Sequence, residues 1–563
     1  MRKFTRRIIA TGLCATLAVS AMATTGCKKK DNSKVDNNEE VVLDVDPGEE
    51  LGLSKDVEGD VSIMIWAGDS QYYEDLGHSG MTKDDVSTQN VAAVLAVATA
   101  FNKVYPHIKI NLYAKANDPN QEGTPSWDQE MENFKTQHGK YPDIWASTDV
   151  PNDIKKGLVA DLSVYKDLQV YKQFNSTMMG YLNYYGFQAG LPSYALPWGV
   201  YINKSLAKNN NIEIPDVDWD IDDYTDFATS GDGETFWGSM NCPNSFINTG
   251  TKDINAMIAN HKDGEPYVDL TTDAVKDLLE YIPEWAEDSI NAQLGLGNIP
   301  QEIADESAYY SWNYFCNNRL LTLDDCPWQL TAAADPNAVG GIGTVQAEEW
   351  DIYPRPATDE CDTTVGMVID PICLHNYAVD DKNNEWSEAE QKQLAITFLF
   401  ATYWTASTDA KQAIADQEYK AGRSYRSAMN DSFPVVEDAD TYNEQMNIWY
   451  SIPAHERYAD AEKMPGFQEV VKIFSDPERT WDYSDKCFPC TVTENGETKS
   501  CLYEWNNNWD GNIAGSYQTE PNWVNDVKTR LSDWNKLAND RFAEADKQLK
   551  EALTEYYGYT DFK

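Results

Sequence analysis

Apolar positions recur along this chain with two periods, two and three-to-four, and each change of period marks an element. Val61–Trp66 is almost wholly apolar, as a strand covered on both faces must be. Val86–Val104 puts Val91, Leu95, Ala98 and Phe101 on one helical face, with Ser87 and Thr88 as candidate N-caps. Tyr105-Pro106 stops that helix, and Ile108–Leu112 alternates as a second strand. A helix opens at Met131–Phe134, and Ile144-Trp145 follows Tyr141-Pro142-Asp143 as a third strand. Pro192 and Pro197 bracket Ser193–Leu196, which makes that stretch extended chain. Val200–Ile202 is a short β run, and Asn203–Leu206 opens a helix. Phe236-Trp237-Gly238 reads as a strand entering the loop Asn241–Asn248. Val275, Leu278, Leu279 and Ile282 make Ala274–Trp285 a helix, and Ala395–Thr405 is a second, more apolar one. Ala538, Phe542, Ala545, Leu549, Leu553 and Tyr556 place the closing helix over Trp534–Tyr557. In a parallel sheet the ligand crevice lies beyond the carboxyl ends of the strands, so Trp66 and Asp69 are placed at a crevice by position.

At 563 residues the chain exceeds one core, so two or more domains are expected. Its formal net charge of −47 repels nucleic acid and anionic headgroups, and both are set aside as partners. The 18 Trp and 32 Tyr supply flat apolar faces with a polar edge, which suit sugar rings and also fill cores.

Arg2, Lys3, Arg6 and Arg7 precede the apolar run Ile8–Ala23, which is short for a membrane span. Thr24-Thr25-Gly26-Cys27 resembles the bacterial lipobox, with Thr24 where Leu is usual. That resemblance implies a diacylated Cys27 as the first mature residue, and two acyl chains give stable anchoring. Residues 28–60 carry few large apolars and read as a disordered tether. Eight cysteines follow, at 242, 316, 326, 361, 373, 487, 490 and 501. Cys487-Phe-Pro-Cys490 with Cys501 is either a local disulfide or a thiolate metal site, and no fourth ligand is near.

The stretch Leu191–Leu206, LPSYALPWGVYINKSL, resembles the hinge of extracellular solute-binding proteins of ABC importers, the carbohydrate-type, maltose-binding-protein-like lipoproteins of Gram-positive bacteria. Phe101-Asn102-Lys103 through Ile110, Pro142-Asp143-Ile144, Gly157–Leu162, Trp219–Tyr224, Phe315–Leu323, Asp351–Pro356, Gly422–Ala428 and Pro465–Val470 are similar to that family's landmarks in order and spacing. Asn317-Asn318-Arg319 replaces the family's Gly-Lys turn. The resemblance covers residues 61–475 and 530–557. It implies a type II periplasmic-binding-protein-like α/β fold of two lobes joined by a multi-strand hinge. The lobes divide as 61–188 and 362–427 against 189–361 and 428–563, with an insertion at 478–522 and the closing helix on the second lobe. It further implies ligand contacts at Trp145 and Asp149 after the third strand. Trp198 and Tyr201 lie in the hinge stretch, Trp237 and Trp328 at second-lobe strand ends, Arg355 in the Pro-x-Pro strand, and Trp449 is the last stacking candidate. A core position competes for each tryptophan.

No HExxH, GxSxG, P-loop or GxGxxG occurs, and the six histidines are scattered. Asp220–Asp223 reads as a helix start rather than a calcium site. The expectation is a monomeric, non-enzymatic receptor without cofactor or metal. It holds an oligosaccharide between its lobes, hands it to a permease, and meets the membrane through its lipid only. A cell-surface glycoside hydrolase or glycan adhesin, or a receptor for a peptide, is the alternative. Turnover separates the first, since an enzyme shortens its glycan.

Overall fold

A computed structural model describes residues 46–66, 71–86, 88–115, 125–240, 250–251, 264–307, 313–325, 349–379, 386–416, 433–482, 486–505 and 522–562. Cys27, Asp69, Cys242, the 241–248 loop, Cys326, Trp328 and the 422–428 landmark lie outside them. The first strands are β1 (Gly59–Trp66), β2 (Gln71–Tyr73), β3 (Ile108–Lys115) and β4 (Ile144–Ala146). A small hairpin of β5 (Asn183–Tyr184) and β6 (Phe187–Gln188) leads into β7 (Gly190–Asn203). Then come β8 (Thr322–Asp325), β9 (Trp350–Tyr353), β10 (Val365–Leu374), β11 (Thr480–Asp482), and the hairpin of β12 (Thr491–Glu494) and β13 (Glu497–Ser500). The helices used below are α1 (Gln89–Phe101), α2 (Trp127–His138), α3 (Val150–Lys155), α4 (Glu388–Ala406) and α5 (Trp523–Tyr557).

The main sheet runs β2-β3-β1-β4-β10-β7-β8, with β9 also on β7 and β11 on β10. β1 is parallel to β3 and β4, while β10 is antiparallel to both β4 and β7. The one buried polar residue on the inward run of β1 is Ser62. Its amide and hydroxyl both donate to Asp143, at 2.7 and 2.6 Å. Tyr377 (2.7 Å) and Lys140 (2.8 Å) complete that carboxylate, so the Asp of the Pro-Asp-Ile run fastens β1, β4 and the chain after β10 together.

β7 is 14 residues long and belongs to two cores. Its first part, Gly190–Trp198, pairs with β10, and Gly199–Asn203 pairs with β8 and β9. Extended chain around Pro192 and Pro197 and a separate short strand at Val200–Ile202 were the sequence expectation. They run as one strand because proline's φ suits extended chain. The donor lost at Pro192 falls at a register shift at Asp370/Pro371, where Pro371 faces Pro192, and Pro197 lies opposite Met367. Val61, Ile63, Phe101, Leu112, Phe398 and Phe400 belong to the first core. Val200, Ile202, Trp219, Tyr224, Trp285 and Trp534 belong to the second.

Several local readings shift. Thr88 caps α1 through the Val91 amide. Asp220 accepts from the Asp222 and Asp223 amides in a capping box, the helix-start reading. Gly157, at φ 72°, follows α3 as the expected C-terminal turn. The 274–285 helix divides into Asp273–Leu278, a 3-10 turn and Ile282–Glu287, with Pro283 at the break. Phe236–Gly238 makes one isolated bridge, Trp237 to Leu320, rather than a strand. The fold also starts before residue 61. Leu51, Leu53 and Val57 are buried, Asp46 takes the Tyr105 hydroxyl, and Glu50 takes the Gln169 and Val170 amides. Three widely spaced apolars in an acidic stretch suffice because the first core is already there to receive them.

α5 is 35 residues long and reaches both cores. Val527, Leu531, Trp534 and Phe542 pack in the second, and Leu549, Leu553 and Tyr557 in the first, which extends the expected second-lobe packing. Gly199 marks the point where β7 changes partners. A Cβ there would lie 2.6 Å from the Tyr353 carbonyl oxygen and 2.8 Å from Ile352 Cγ2. Backbone cannot yield as a side chain can. Gly199→Ala should therefore destabilise the protein by roughly 1–3 kcal/mol. Urea unfolding of the variant against the parent checks this, and equal midpoints would refute the packing argument.

Candidate functional site

β7 and β10 present one half-open face where the two lobes join. The register sets Asp370 opposite Tyr194, Val368 opposite Leu196, and Gly366 opposite Trp198. Opposed residues share a face, and residues two apart along a strand share it too. Tyr194, Trp198, Val368 and Asp370 are half-buried there, while Ala195, Pro197, Met367 and Ile369 on the other face are buried. Tyr194 and Trp198 are four residues apart, about 13 Å along the strand.

Each carboxylate on this face meets a cation. Lys486 pairs with Asp370. Arg355, 1% exposed, donates through Nε and Nη2 to Asp324 at 3.3 and 3.2 Å. Gly366 makes room for that guanidinium, since a Cβ there would be 2.8 Å from Arg355 Nη1 and 3.1 Å from Trp198 Cβ. A first-lobe wall adjoins. The Ser147 amide donates to the Pro371 carbonyl (2.9 Å) and the Val150 amide to the Lys486 carbonyl (2.9 Å). Asp149 caps α3 through the Asn152 amide (2.9 Å) and takes the Thr491 hydroxyl (3.2 Å). Thr148 between them is exposed.

Trp66 ends β1 farther along the same lobe. Its half-buried ring lies 4.8 Å from Trp127 of α2, and Lys115 Nζ sits 4.4 Å from its centroid. Burial holds the Lys115 ammonium below its usual value, and Glu130 opposes that shift. This cluster closes the carboxyl ends of β1 and β3, where position had put Trp66.

The remaining expected residues sit in cores. Trp145 is fully buried, its indole N–H on Asp153 at 2.9 Å. Tyr201 is buried between Phe315 and Trp350, ring centroids 5.7 and 5.6 Å away. It lies three residues past Trp198, an odd step, and so points to the opposite face of β7. Trp237 is buried, with its amide on the Arg319 carbonyl. Trp449 stacks on His455 at 3.8 Å and on Phe467 at 6.0 Å. None of these four rings offers an open face in this conformation, and Arg355 offers its charge through Asp324. Tyr194, Asp324, Asp370 and Lys486 joined the site without being singled out from sequence. Tyr194 was reachable by stepping back in twos from Trp198, and Asp370 by its break in an apolar strand. Lys486 carried no such signal. Among the described residues no group of three or more His, Cys, Asp or Glu is arranged to hold a metal ion, and no helix is long and apolar enough to cross a membrane.

The fold is similar to that of a sugar transporter from Rhizobium etli in an open conformation, with TM-score 0.51 and 16% identity over 86% of this chain and 99% of that one. The GacH receptor of Streptomyces glaucescens, solved unliganded and with acarbose, aligns with TM-score 0.49 and 14% identity over 87% and 99%. An ABC substrate-binding protein from Listeria monocytogenes in complex with cycloalternan aligns with TM-score 0.48 and 14% identity over 90% and 100%. No family model and no curated protein matches the sequence. The chain has the two-lobed α/β fold of type II periplasmic binding proteins.

The Trp145–Asp153 contact under the first-lobe wall has a pH signature. Burial pushes the Asp153 carboxyl up to about 6, against the pull of its hydrogen bonds from Trp145 and Ser147. From its ordinary value of 3.8 up to about 6, the folded chain then holds more protons than the unfolded one. Stability from this group falls as pH rises through that window and is level above it. His455 acts oppositely, since burial holds it down at about 4 from 6.5. The wild-type curve therefore mixes both signs, and the difference from Asp153→Asn isolates one. The wild-type melting temperature minus that of Asp153→Asn should fall between pH 4 and 6. A difference that is flat across this range would contradict the assignment.

Proposed function

We propose that this chain is the solute receptor of an ABC importer, held on the outer face of the membrane by lipid on Cys27, and that it captures an oligosaccharide between its lobes. The single observation that carries the cargo class is the hinge face: two half-buried aromatic rings about 13 Å apart on one strand, flanked by ion-paired carboxylates. Tyr and Trp rings cover the apolar faces of sugar rings, and Asp370 and Asp324 accept from hydroxyls. Their cations balance and orient both carboxylates, so the floor takes a neutral, hydroxyl-rich ligand without an unbalanced charge. A spacing longer than one sugar ring favours an oligosaccharide. The cargo class in the Rhizobium neighbour's name agrees.

Binding, not turnover, is the mechanism. The ligand touches the floor first, then Thr148, Asp149 and Trp66 on the first lobe and Asp324 on the second. Contacts to both lobes favour the closed form in proportion to their difference between open and closed states. Lipid on Cys27 and the polar segment before residue 46 keep the receptor, acting as a monomer, within reach of its permease. The acidic surface keeps nucleic acid away.

Thermal unfolding of the mature chain against oligosaccharides, amino acids and peptides tests this. The matching glycan at about a hundred times its Kd should add roughly 2.7 kcal/mol and be recovered intact. Trp198→Ala should raise that Kd about tenfold, roughly 1.4 kcal/mol, in calorimetry. Stabilisation by peptides alone, or recovery of shortened glycans, would overturn the proposal.

A further inference from the structure

The segment after β11 had no counterpart in the family resemblance, yet it links three parts of the molecule. Lys486 reaches Asp370 on the hinge face, and Thr491 reaches Asp149 on the first-lobe wall. Glu494 and Glu504 both grip Arg541 of α5, which is 5% exposed. Between these contacts lies the β12–β13 hairpin. Its turn is Asn495-Gly496, with φ of 53° and 86°, the two left-handed residues of a tight two-residue hairpin. Such a turn fixes register. Glu494 pairs with Glu497, Thr493 with Thr498, Val492 with Lys499, and Thr491 with Ser500. One step beyond this ladder the Cys501 amide donates to the Cys490 carbonyl at 2.6 Å, while the Cys490 amide turns back to the Phe488 carbonyl at 2.8 Å, and both sulfurs are thiols in this structure.

Continued one step, the register sets Cys490 and Cys501 opposite each other, where Cα atoms stand about 5.5 Å apart, inside the range a disulfide spans. Both side chains project to the same face of the hairpin, and both are buried in the second core with Trp505. Cys487 is placed differently. It belongs to the first core, precedes the Phe488-Pro489 bend, and its carbonyl takes the Tyr184 hydroxyl.

We propose that Cys490 and Cys501 form a cross-strand disulfide in the exported protein, stapling the hairpin that carries the Lys486, Thr491 and Glu494 contacts, while Cys487 stays a thiol. The proposal rests on the export reading above, because an oxidising exterior is what lets the bond persist. Each thiol loses its proton and one S–S bond forms. The two electrons go to an external disulfide, a thiol oxidoreductase in the cell or oxidised glutathione in the test, which is reduced to its thiols. Burial pushes the Cys501 thiol up to about 12. Exchange therefore occurs before the hairpin packs, and the packed bond resists reduction.

The test is thiol blocking at lysis, then peptide mass mapping, on the full chain isolated from its own membranes. A linked pair of peptides containing Cys490 and Cys501, lighter by two hydrogens, with Cys487 carrying the blocking group, is the expected result. A link through Cys487, or blocking groups on all three, would overturn the staple. In a second arm the reduced, unfolded chain refolds in a glutathione redox buffer. The link forming there but not in cells would overturn it for the native protein and place the failure in the export reading, not in the hairpin geometry. Refolded from the unfolded chain in dithiothreitol, the parent and Cys487→Ser should melt lower than the same chains refolded in the glutathione buffer, while Cys501→Ser should melt alike in both. Oligosaccharide binding plays no part in these readouts, so an incorrect cargo would leave the staple standing.

Discussion

β7 carries the architecture because one run of backbone hydrogen bonds serves two cores. Gly190–Trp198 is bonded to β10, and the next five residues are bonded to β8 and β9. The pleat then sorts side chains without further instruction. On the far half, Val200 and Ile202 go to the second core and Tyr201 to the first. On the near half, Tyr194 and Trp198 go to the hinge face. A change of partner in mid-strand needs close backbone approach, and Gly199 stands at that point, against Tyr353. Any rotation of the lobes is taken up near this residue, because ladder bonds on either side resist shear.

The charges at the floor follow from burial. A protein with 92 acidic and 45 basic residues has carboxylates to spare, and few of those among the described residues are fully buried. Asp370 and Asp324 are partly buried on the hinge face, and each has a cation. Unpaired, either would lose solvation on ligand entry without compensation. Paired, each keeps lone pairs for hydroxyl donors. The cations come from distant sequence, Lys486 beyond β11 and Arg355 beyond β9, so the floor is complete only when both lobes and the late segment have folded.

How far this was legible in the sequence depends on what each residue's chemistry left undecided. Order and spacing of short runs carried the two-lobed fold, because strand ends, cap residues and prolines act locally. Trp66 came from strand position alone, and it is half-buried at the end of β1. Trp145, Trp237 and Trp449, singled out through the family resemblance, lie in cores, since a tryptophan packs as readily as it stacks. Separating them needs the register of their neighbours. Trp198 and Tyr201 show this within four residues, where parity along the strand decides exposure. Lys486 was illegible, because its role depends on a partner 116 residues away. The early start of the fold was hidden by composition, since Leu51, Leu53 and Val57 are too sparse to form a core and merely join one.

α5 constrains any closure of the lobes. A helix resists bending because each bend must lengthen or break hydrogen bonds of its ladder. α5 is anchored in the second core by Trp534 and Phe542 and in the first by Leu549 and Leu553, seven residues or about 10 Å further along. Arg541, held by Glu494 and Glu504, ties the same helix to the hairpin that reaches the hinge face. Rotation about Gly199 must therefore move the last turns of α5 against the first core or move the hairpin with the second. Tyr557 and Leu553 are deeply buried, whereas the hairpin itself reaches the first lobe through Thr491 on Asp149, and the chain just before it is fixed there by Lys486 on Asp370 and by Cys487, buried in the first core. Polar contacts at the rim exchange with water at small net cost, and buried apolar ones do not. Of these contacts the rim pair of Thr491 and Asp149 is the one a rotation of the lobes would re-form at least cost, while the last turns of α5 and Cys487 hold to the first core.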